Sequence, residues 1–274
     1  MDSIRDTLRK ITGLLTKRPQ PHRDAQEILC CLLGISRTEL LITLDETIPA
    51  EVEKKAFTIA SKVAKGKPLE YELGYCTFMG LKLKVNPFVL IPRPDTEILV
   101  EEATKKTNNG CSVLDLCTGS GCIALSMKKR NPFCTVMASD LSLHALRIAK
   151  ENATNLNIDV EFVRSDLFES IDKTFDIIVS NPPYIPRSRI PMLQKEISFE
   201  PIEALDGGED GLDFYRRIND GFESHLAKDG TAYFEIDCPN DDERQNLLDI
   251  FVNRDINIVN DLSGRPRVLK VRFK

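Results

Sequence analysis

Residues Ser180–Pro186 read SNPPYIP, directly after the apolar run FDIIV at 175–179. Two consecutive prolines at the end of such a strand withdraw backbone N–H donors and stiffen the chain. Asn181 supplies a side-chain carbonyl, and Tyr184 a flat apolar face. Pro182 supplies a backbone carbonyl for which Pro183 offers no competing N–H. The set suits a planar nitrogen, either an amide or a base amine. The lone pair of such a nitrogen is delocalised, so a catalyst must draw its N–H bonds to acceptors and aim the lone pair at an electrophile. Positioning then carries much of the rate. Asn181, Pro182 and Tyr184 are the candidate catalytic residues, and Asn181, Pro182, Pro183 and Tyr184 the candidate grip on the substrate.

A second cluster precedes it. Residues 113–124 read VLDLCTGSGCIA, a strand, a glycine turn and a helix start. Glycines let a ligand approach the backbone, and the helix N-terminus offers free N–H groups and the positive end of a dipole. The spacing Gly119-x-Gly121-x-x-Ala124, with Asp140 ending the next strand, formally fits a dinucleotide fingerprint, so a dehydrogenase stays open here. Asp115, just before the turn, would repel a pyrophosphate but welcome an ammonium. A third strand ends at Asp166, an acceptor for an exocyclic amine, followed by Phe168, an aromatic face for a base. An amino-acid head, a ribose and an adenine match these stations, which points to S-adenosylmethionine. The candidate cofactor residues are Asp115, Cys117, Thr118, Gly119, Ser120, Gly121, Asp140, Asp166, Phe168 and Asn181.

The elements that must position these residues show in the apolar spacing. Up to about Lys67 the chain reads as helices. Ile4, Leu8, Ile11 and Leu15 mark an amphipathic first helix rather than a signal peptide. Asp24 is placed to cap a second helix that Gly34 stops, and Pro49 suits the first turn of a third long helix that Gly66 ends. LKLKV (81–85) and FVLI (88–91) read as strands, perhaps a hairpin, and Thr96 as a cap-like residue opening a helix. Beyond it SVLDL, TVMASD, VEFVRSD and FDIIVSN alternate with helical stretches, which predicts a parallel sheet covered on both faces. The last two strands, INIVND and RVLKVRF, are close enough for a hairpin, so one of them is antiparallel.

The chain of 274 residues is 42% hydrophobic and 29% charged, enough to bury a core. A net charge of -5 argues against broad binding to nucleic acid, which needs phosphates neutralised. No apolar run approaches the roughly 18–20 residues that span a bilayer. The 8 cysteines form no CxxC pair, which predicts reduced thiols in a cytoplasmic protein. With 3 histidines, none at ligand spacing from a cysteine, no metal site is expected.

DLCTGSGCIAL, ASD, SDLF and VSNPPYIP together resemble an amino-group S-adenosylmethionine-dependent methyltransferase. NPPY alone is shared with DNA and RNA exocyclic-amine methyltransferases. The narrower signal is Pro68-Leu69-Glu70-Tyr71-x-x-Gly74 with Phe78, then VLIPRPDTE (89–97) and FEPIEALDGGEDGLDFYR (199–216). Across essentially the whole chain these resemble the release-factor glutamine methyltransferases (PrmC/HemK). The resemblance implies an α/β fold: a Rossmann-like seven-stranded methyltransferase sheet with an antiparallel C-terminal strand, plus a small N-terminal helical domain. Residues 1–74 would be the substrate-recognition domain, 75–92 a linking hairpin and 93–274 the methyltransferase domain. It further implies N5-methylation of the glutamine in the Gly-Gly-Gln motif of class 1 peptide chain release factors, with no nucleic acid or membrane engaged directly. By matched positions, Cys117–Gly121 would wrap the methionine moiety, Asp140 take the ribose, Phe168 lie against adenine and Asn181–Tyr184 clasp the glutamine. Asp95 stands where Glu is also frequent, and Cys117 replaces a glycine. The tail Glu235-Ile236-Asp237-Cys238 departs from the Glu-Ile-Gly of many relatives. A ribosomal-protein glutamine methyltransferase is the nearest alternative. A DNA or RNA methyltransferase, needing a target-reading domain or basic groove, and a nonenzymatic cofactor-binding module stand further off.

Overall fold

The computed structural model describes residues 2–274. They form two compact units. One comprises the chain up to Tyr75 together with Gln194–Phe199; the other comprises Cys76–Leu193 and Glu200–Lys274.

The first unit is helical. α1 (Ile4–Leu14) buries Ile4, Leu8 and Ile11, the apolar stripe of its sequence, and Ser3 caps it by accepting from the Asp6 amide. α2 (Pro21–Leu33) starts earlier than expected, because Pro21 pre-sets the first turn. Asp24 is therefore not its cap; it pairs with Arg18 at 2.9 Å. Gly34, at φ 68°, ends the helix as its sequence suggested. α3 (Arg37–Ile42), held by a Ser36–Glu39 capping box, leads to α4 (Ala50–Ala64) and the short α5 (Leu69–Leu73). Their buried faces meet in one core built on Leu8, Ile11, Ile28, Leu29, Ala56 and Ala60. The returning segment 194–199 brings Glu196 to Arg18 at 3.3 Å.

The strand hairpin is β1 (Tyr75–Phe78) with β2 (Leu81–Lys84). FVLI is not its second arm, contrary to expectation. Val89 and Ile91 are buried, but their segment is irregular, and the Ile91 amide donates to the Glu200 carboxylate at 3.2 Å rather than to a strand. α6 (Pro94–Thr104) begins at Pro94 behind Arg93, so Thr96 lies inside the first turn, buried, and is not the cap.

From there strand and helix alternate: β3 (Ser112–Leu116), α7 (Cys122–Arg130), β4 (Thr135–Asp140), α8 (Leu143–Leu156), β5 (Glu161–Arg164) and β6 (Phe175–Ser180). α9 (Asp213–His225), β7 (Leu226–Glu235), α10 (Asp241–Ile250), β8 (Asp255–Asn260) and β9 (Pro266–Arg272) complete the unit. The strand order is β5-β4-β3-β6-β7-β9-β8. β3 to β7 pair in parallel, while β9 runs antiparallel to both β7 and β8. This is the sheet expected, with its one reversed strand near the C-terminus. The strand order reverses direction between β3 and β6, the position at which open α/β sheets bind ligands beyond the carboxyl ends of their strands.

One expectation about cysteines fails. Because Ser112 is in register with Thr135, the residues before them, Cys111 and Cys134, face each other across β3 and β4 and are disulfide-bonded, with Cα atoms 4.7 Å apart. Cys30, Cys31, Cys76, Cys117, Cys122 and Cys238 are free thiols.

Candidate active site

The glycine turn is held from inside by two acids. Asp115 Oδ2 accepts from the Thr118 hydroxyl at 2.6 Å and from the Ala124 amide at 3.1 Å. It thereby ties the strand, the turn and the first turn of α7 into one unit. Asp140, at the end of β4, accepts from the Gly119 amide and from the Ser142 amide, each at 2.8 Å. Burial, reinforced by the Asp140 charge, pushes the Asp115 carboxyl up to about 7 against the pull of its two donors. Burial also raises Asp140, while the backbone donors oppose it.

Cys117 has φ 59°, in the left-handed region that costs a side-chain-bearing residue about 1–2 kcal/mol. The turn keeps the conformation of the glycine pattern although a Cβ is present. Gly121 has a sharper requirement: it sits at φ 83°, and a Cβ there would come within 3.1 Å of the Ala149 methyl on α8. Gly119 is different, since a Cβ on it would meet nothing within 4 Å, so its outer side is open for a ligand.

Sequence reading does not single out Asn152. Its buried amide donates to the carbonyls of Ser120 at 2.9 Å and Lys84 at 3.1 Å, and accepts from the Lys84 amide at 2.7 Å. It therefore clamps the turn to β2. An Asn on a helical stripe of small residues was the available signal.

Phe168, expected beside the adenine, lies in the segment after β5. Its ring is buried in the core, stacked on His225 with centroids 4.3 Å apart, and it covers Gly221 of α9. Asp166 is half-exposed but pairs with Arg217 at 2.7 Å.

The second half of the site is the corner after β6. Leu116 and Ser180 are in register, so Cys117 and Asn181 leave neighbouring strands side by side. Ser180 Oγ donates to the Leu116 carbonyl at 2.8 Å, joining the two strand ends. Pro182 and Pro183 are buried. The Asn181 amide donates through Nδ2 to Thr96 Oγ1 at 3.4 Å. The Tyr184 hydroxyl donates to Glu235 Oε1 at 3.3 Å. Burial pushes the Tyr184 phenol far above its ordinary range, and the carboxylates of Glu235 and Asp237 add to the rise.

The motif from 199 to 216 turns out to be the backing of this corner. Ile185 donates to the Leu205 carbonyl at 3.0 Å, Gly207 donates to the Ile185 carbonyl at 2.9 Å, and Arg187 donates to the Gly208 carbonyl at 2.8 Å. A Cβ on Gly207 would lie 2.7 Å from the Tyr184 Cα, so only glycine permits this approach. Glu200, buried, accepts from both the Ile91 amide and the Arg93 guanidinium. The two distinctive stretches, VLIPRPDTE and FEPIEALDGG, are thus joined by a buried acid. Asp95 pairs with Arg267 at 3.1 Å, and Arg267 also holds Asp261 at 3.0 Å. Among the described residues no group of three or more His, Cys, Asp or Glu is placed to hold a metal ion.

The PrmC N-terminal domain matches residues 6–74, and the Methyltransferase small domain matches residues 94–200. A release factor glutamine methyltransferase from Thermodesulfovibrio yellowstonii is 39% identical over 269 residues, covering 96% of each chain. The chain belongs to the release factor glutamine methyltransferase family. The homonymous protein of Clostridium acetobutylicum is 40% identical over 256 residues, 90% of each chain. Among solved structures, a methyltransferase from Pyrococcus furiosus superposes with TM-score 0.54 at 18% identity, covering 70% of this chain and 88% of that one. The 16S rRNA N2 G1207 methyltransferase of Thermus thermophilus superposes at 0.53 and 16%, over 73% of this chain and 50% of that one. At such identities these two share the fold. The member described here is an S-adenosylmethionine-dependent methyltransferase. The cofactor's chemistry fits the turn: one side of Gly119 is open, and Asp115 Oδ1 is a buried acceptor with no donor among the described residues. No described helix is long and apolar enough to cross a membrane.

Proposed function

We propose that this enzyme methylates the N5 side-chain nitrogen of the glutamine in the Gly-Gly-Gln motif of class 1 peptide chain release factors. The observation that carries this reading is the 39% identity to a release factor glutamine methyltransferase over 96% of both chains, which takes in the helical unit as well as the corner. Asn181 Oδ1 and the Pro182 carbonyl accept the two N–H bonds of the substrate amide, Tyr184 stacks on its plane, and Pro183 adds to the same grip. So held, the nitrogen lone pair would face the cofactor's methyl group, and the amide proton lost on methylation would pass to solvent. S-adenosylmethionine, when bound, supplies the electrophilic methyl. Cys117, Thr118, Gly119, Ser120 and Gly121 surround its amino-acid end, Asp115 supports them, Asp140 receives the ribose, and Asp166 lies at the adenine end. The helical unit, residues 1–74, grips the protein substrate, with the hairpin region 75–92 leading into the catalytic domain at 93. No nucleic acid or membrane is engaged directly, and the reaction belongs in the cytoplasm beside the ribosome.

The test is methyl-label transfer in an extract. Purified enzyme and labelled S-adenosylmethionine are expected to mark a class 1 release factor. Label entering a ribosomal protein, or nucleic acid, in its place would overturn the assignment.

A further inference from the structure

The two side chains of the corner rest on different elements. The Asn181 amide meets Thr96, in the first turn of α6, at 3.4 Å. The Tyr184 hydroxyl meets Glu235, the last residue of β7, at 3.3 Å. A shift of either element moves the group that leans on it, so the start of α6 and the end of β7 must be held in fixed relation. The helix does not secure itself, because its N-cap residue, Arg93, makes no side-chain capping bond.

Arg267 bridges the two elements. It lies near the start of β9, where Val268 is in register with Glu235, and its carbonyl accepts from the Ile236 amide at 2.9 Å. Its main chain is therefore tied to the residue after Glu235. Its guanidinium reaches Asp95, the residue before Thr96, at 3.1 Å through Nη2. The same fork meets Asp261 at 3.0 Å through Nε and lies 3.7 Å from Asp237 through Nη1. Asp261 is a firm anchor: its other oxygen accepts from the Ser263 and Arg265 amides at 2.8 and 3.0 Å. Three nitrogens thus face three acids, from α6, from the segment after β7 and from the β8–β9 turn, and only a planar fork spans them. The Arg267 side chain is 14% exposed, so it is the sequestered member of the cluster, and Asp95 is half-exposed.

We propose that Arg267 is a positioning residue of the corner, locking the first turn of α6 to the end of β7 so that Asn181 and Tyr184 keep the geometry for methyl transfer. The inference rests on the reading of Asn181 as the acceptor for a substrate amide. Glu200 fixes Arg93 on one side of Pro94, and Arg267 fixes Asp95 on the other.

The test compares Arg267→Met, Asp95→Asn, their double variant, and Arg267→Met combined with Asn181→Ala. Arg254→Met is the control: that side chain is also 14% exposed, but it packs on Phe222 and Phe273 at the far end of β9. Turnover of purified release factor is measured at saturating substrates, S-adenosylhomocysteine binding by calorimetry, and unfolding by thermal melting. Arg267→Met is expected to lower kcat by about 10- to 100-fold, the scale of a misplaced reacting group, and Asp95→Asn by about 3- to 10-fold. S-adenosylhomocysteine affinity should stay within about threefold in both. Their double variant should be no slower than Arg267→Met, because both break one clamp, and in the Asn181→Ala background the loss from Arg267→Met should shrink to about threefold or less. Arg254→Met should lower the melting point and leave kcat within about twofold. Losses that multiply in full with Asn181→Ala, an equal fall of kcat in Arg254→Met, or near-normal kcat in Arg267→Met would overturn the proposal. Should Arg267→Met fail to fold, Asp95→Asn decides alone, and a normal kcat in it overturns the clamp. If wild-type enzyme transfers no methyl to glutamine the parent reading fails; if it does and both clamp variants keep full kcat, only the clamp fails.

Discussion

The two halves of the site sit on adjacent strand ends of one sheet, yet one is built on glycines and the other on prolines. After β3 the chain turns on glycines into a helix, open on one side of Gly119, and the acids Asp115 and Asp140 tie that turn from within. After β6, prolines strip N–H groups away, and the corner offers carbonyls backed by Thr96 and Glu235. The difference teaches how one scaffold sorts two ligands. In the function proposed above, the glycine turn takes the cofactor and the proline corner, with its carbonyls, takes the N–H substrate. Each half also holds one buried acid pushed up to about 7, chiefly by burial.

If the halves are as separable as this, substitutions should split binding from turnover. Asn181→Ala is expected to cost about 10²–10³-fold in kcat, the scale for removing one preorganised hydrogen-bond partner. S-adenosylhomocysteine affinity, read by calorimetry, should be nearly unchanged. Asp140→Ala should do the reverse. Losing the acceptor of the Gly119 amide, the proposed ribose acceptor, should weaken cofactor binding by about 10- to 100-fold, with kcat at saturation close to wild type. Equal losses in both quantities for either variant would erase the distinction.

Gly121→Ala adds left-handed strain and a 3.1 Å approach to Ala149, and should destabilise the fold by about 2 kcal/mol. Thermal unfolding would show this as a melting point lower by several degrees.

The smallest effect tests what the two regions share. Asp115 and Glu235 have folded-state pKa values raised above their unfolded ones, so the native state holds protons that the unfolded chain has released. Their contribution to stability is full below the ordinary carboxylate range and is lost as pH rises to about 7. Each group gives a slope of about -1.4 kcal/mol per pH unit within that window. Asp45, Asp206, Asp210 and Asp261 are lowered, and their opposite contribution is lost only at more acidic pH. The ligand-free enzyme should therefore melt higher at pH 5 than at pH 7, and Asp115→Asn and Glu235→Gln should each flatten that slope.

The alternation of apolar runs made the parallel sheet and its reversed strand legible, and the turn and corner motifs were visible because their residues are contiguous. What stayed hidden depends on partners distant in sequence. FVLI reads as a strand by composition, but its backbone partner is the Glu200 side chain. Thr96 reads as a cap until Pro94 is seen to start the helix, which frees its hydroxyl for Asn181. Phe168 reads as a base platform in sequence, and its stacking on His225 is visible only in the fold. The disulfide required the β3–β4 register, which cysteine spacing does not encode.

In the proposed function, the corner after β6 holds a release-factor glutamine amide for methylation. Tandem mass spectrometry of a purified class 1 release factor, incubated with S-adenosylmethionine and either wild-type enzyme or Asn181→Ala, tests it directly. The account predicts one methyl group on the side chain of the glutamine in the Gly-Gly-Gln peptide with wild type, and almost none with the variant. An unmodified glutamine with wild-type enzyme, or full modification by Asn181→Ala, would contradict it.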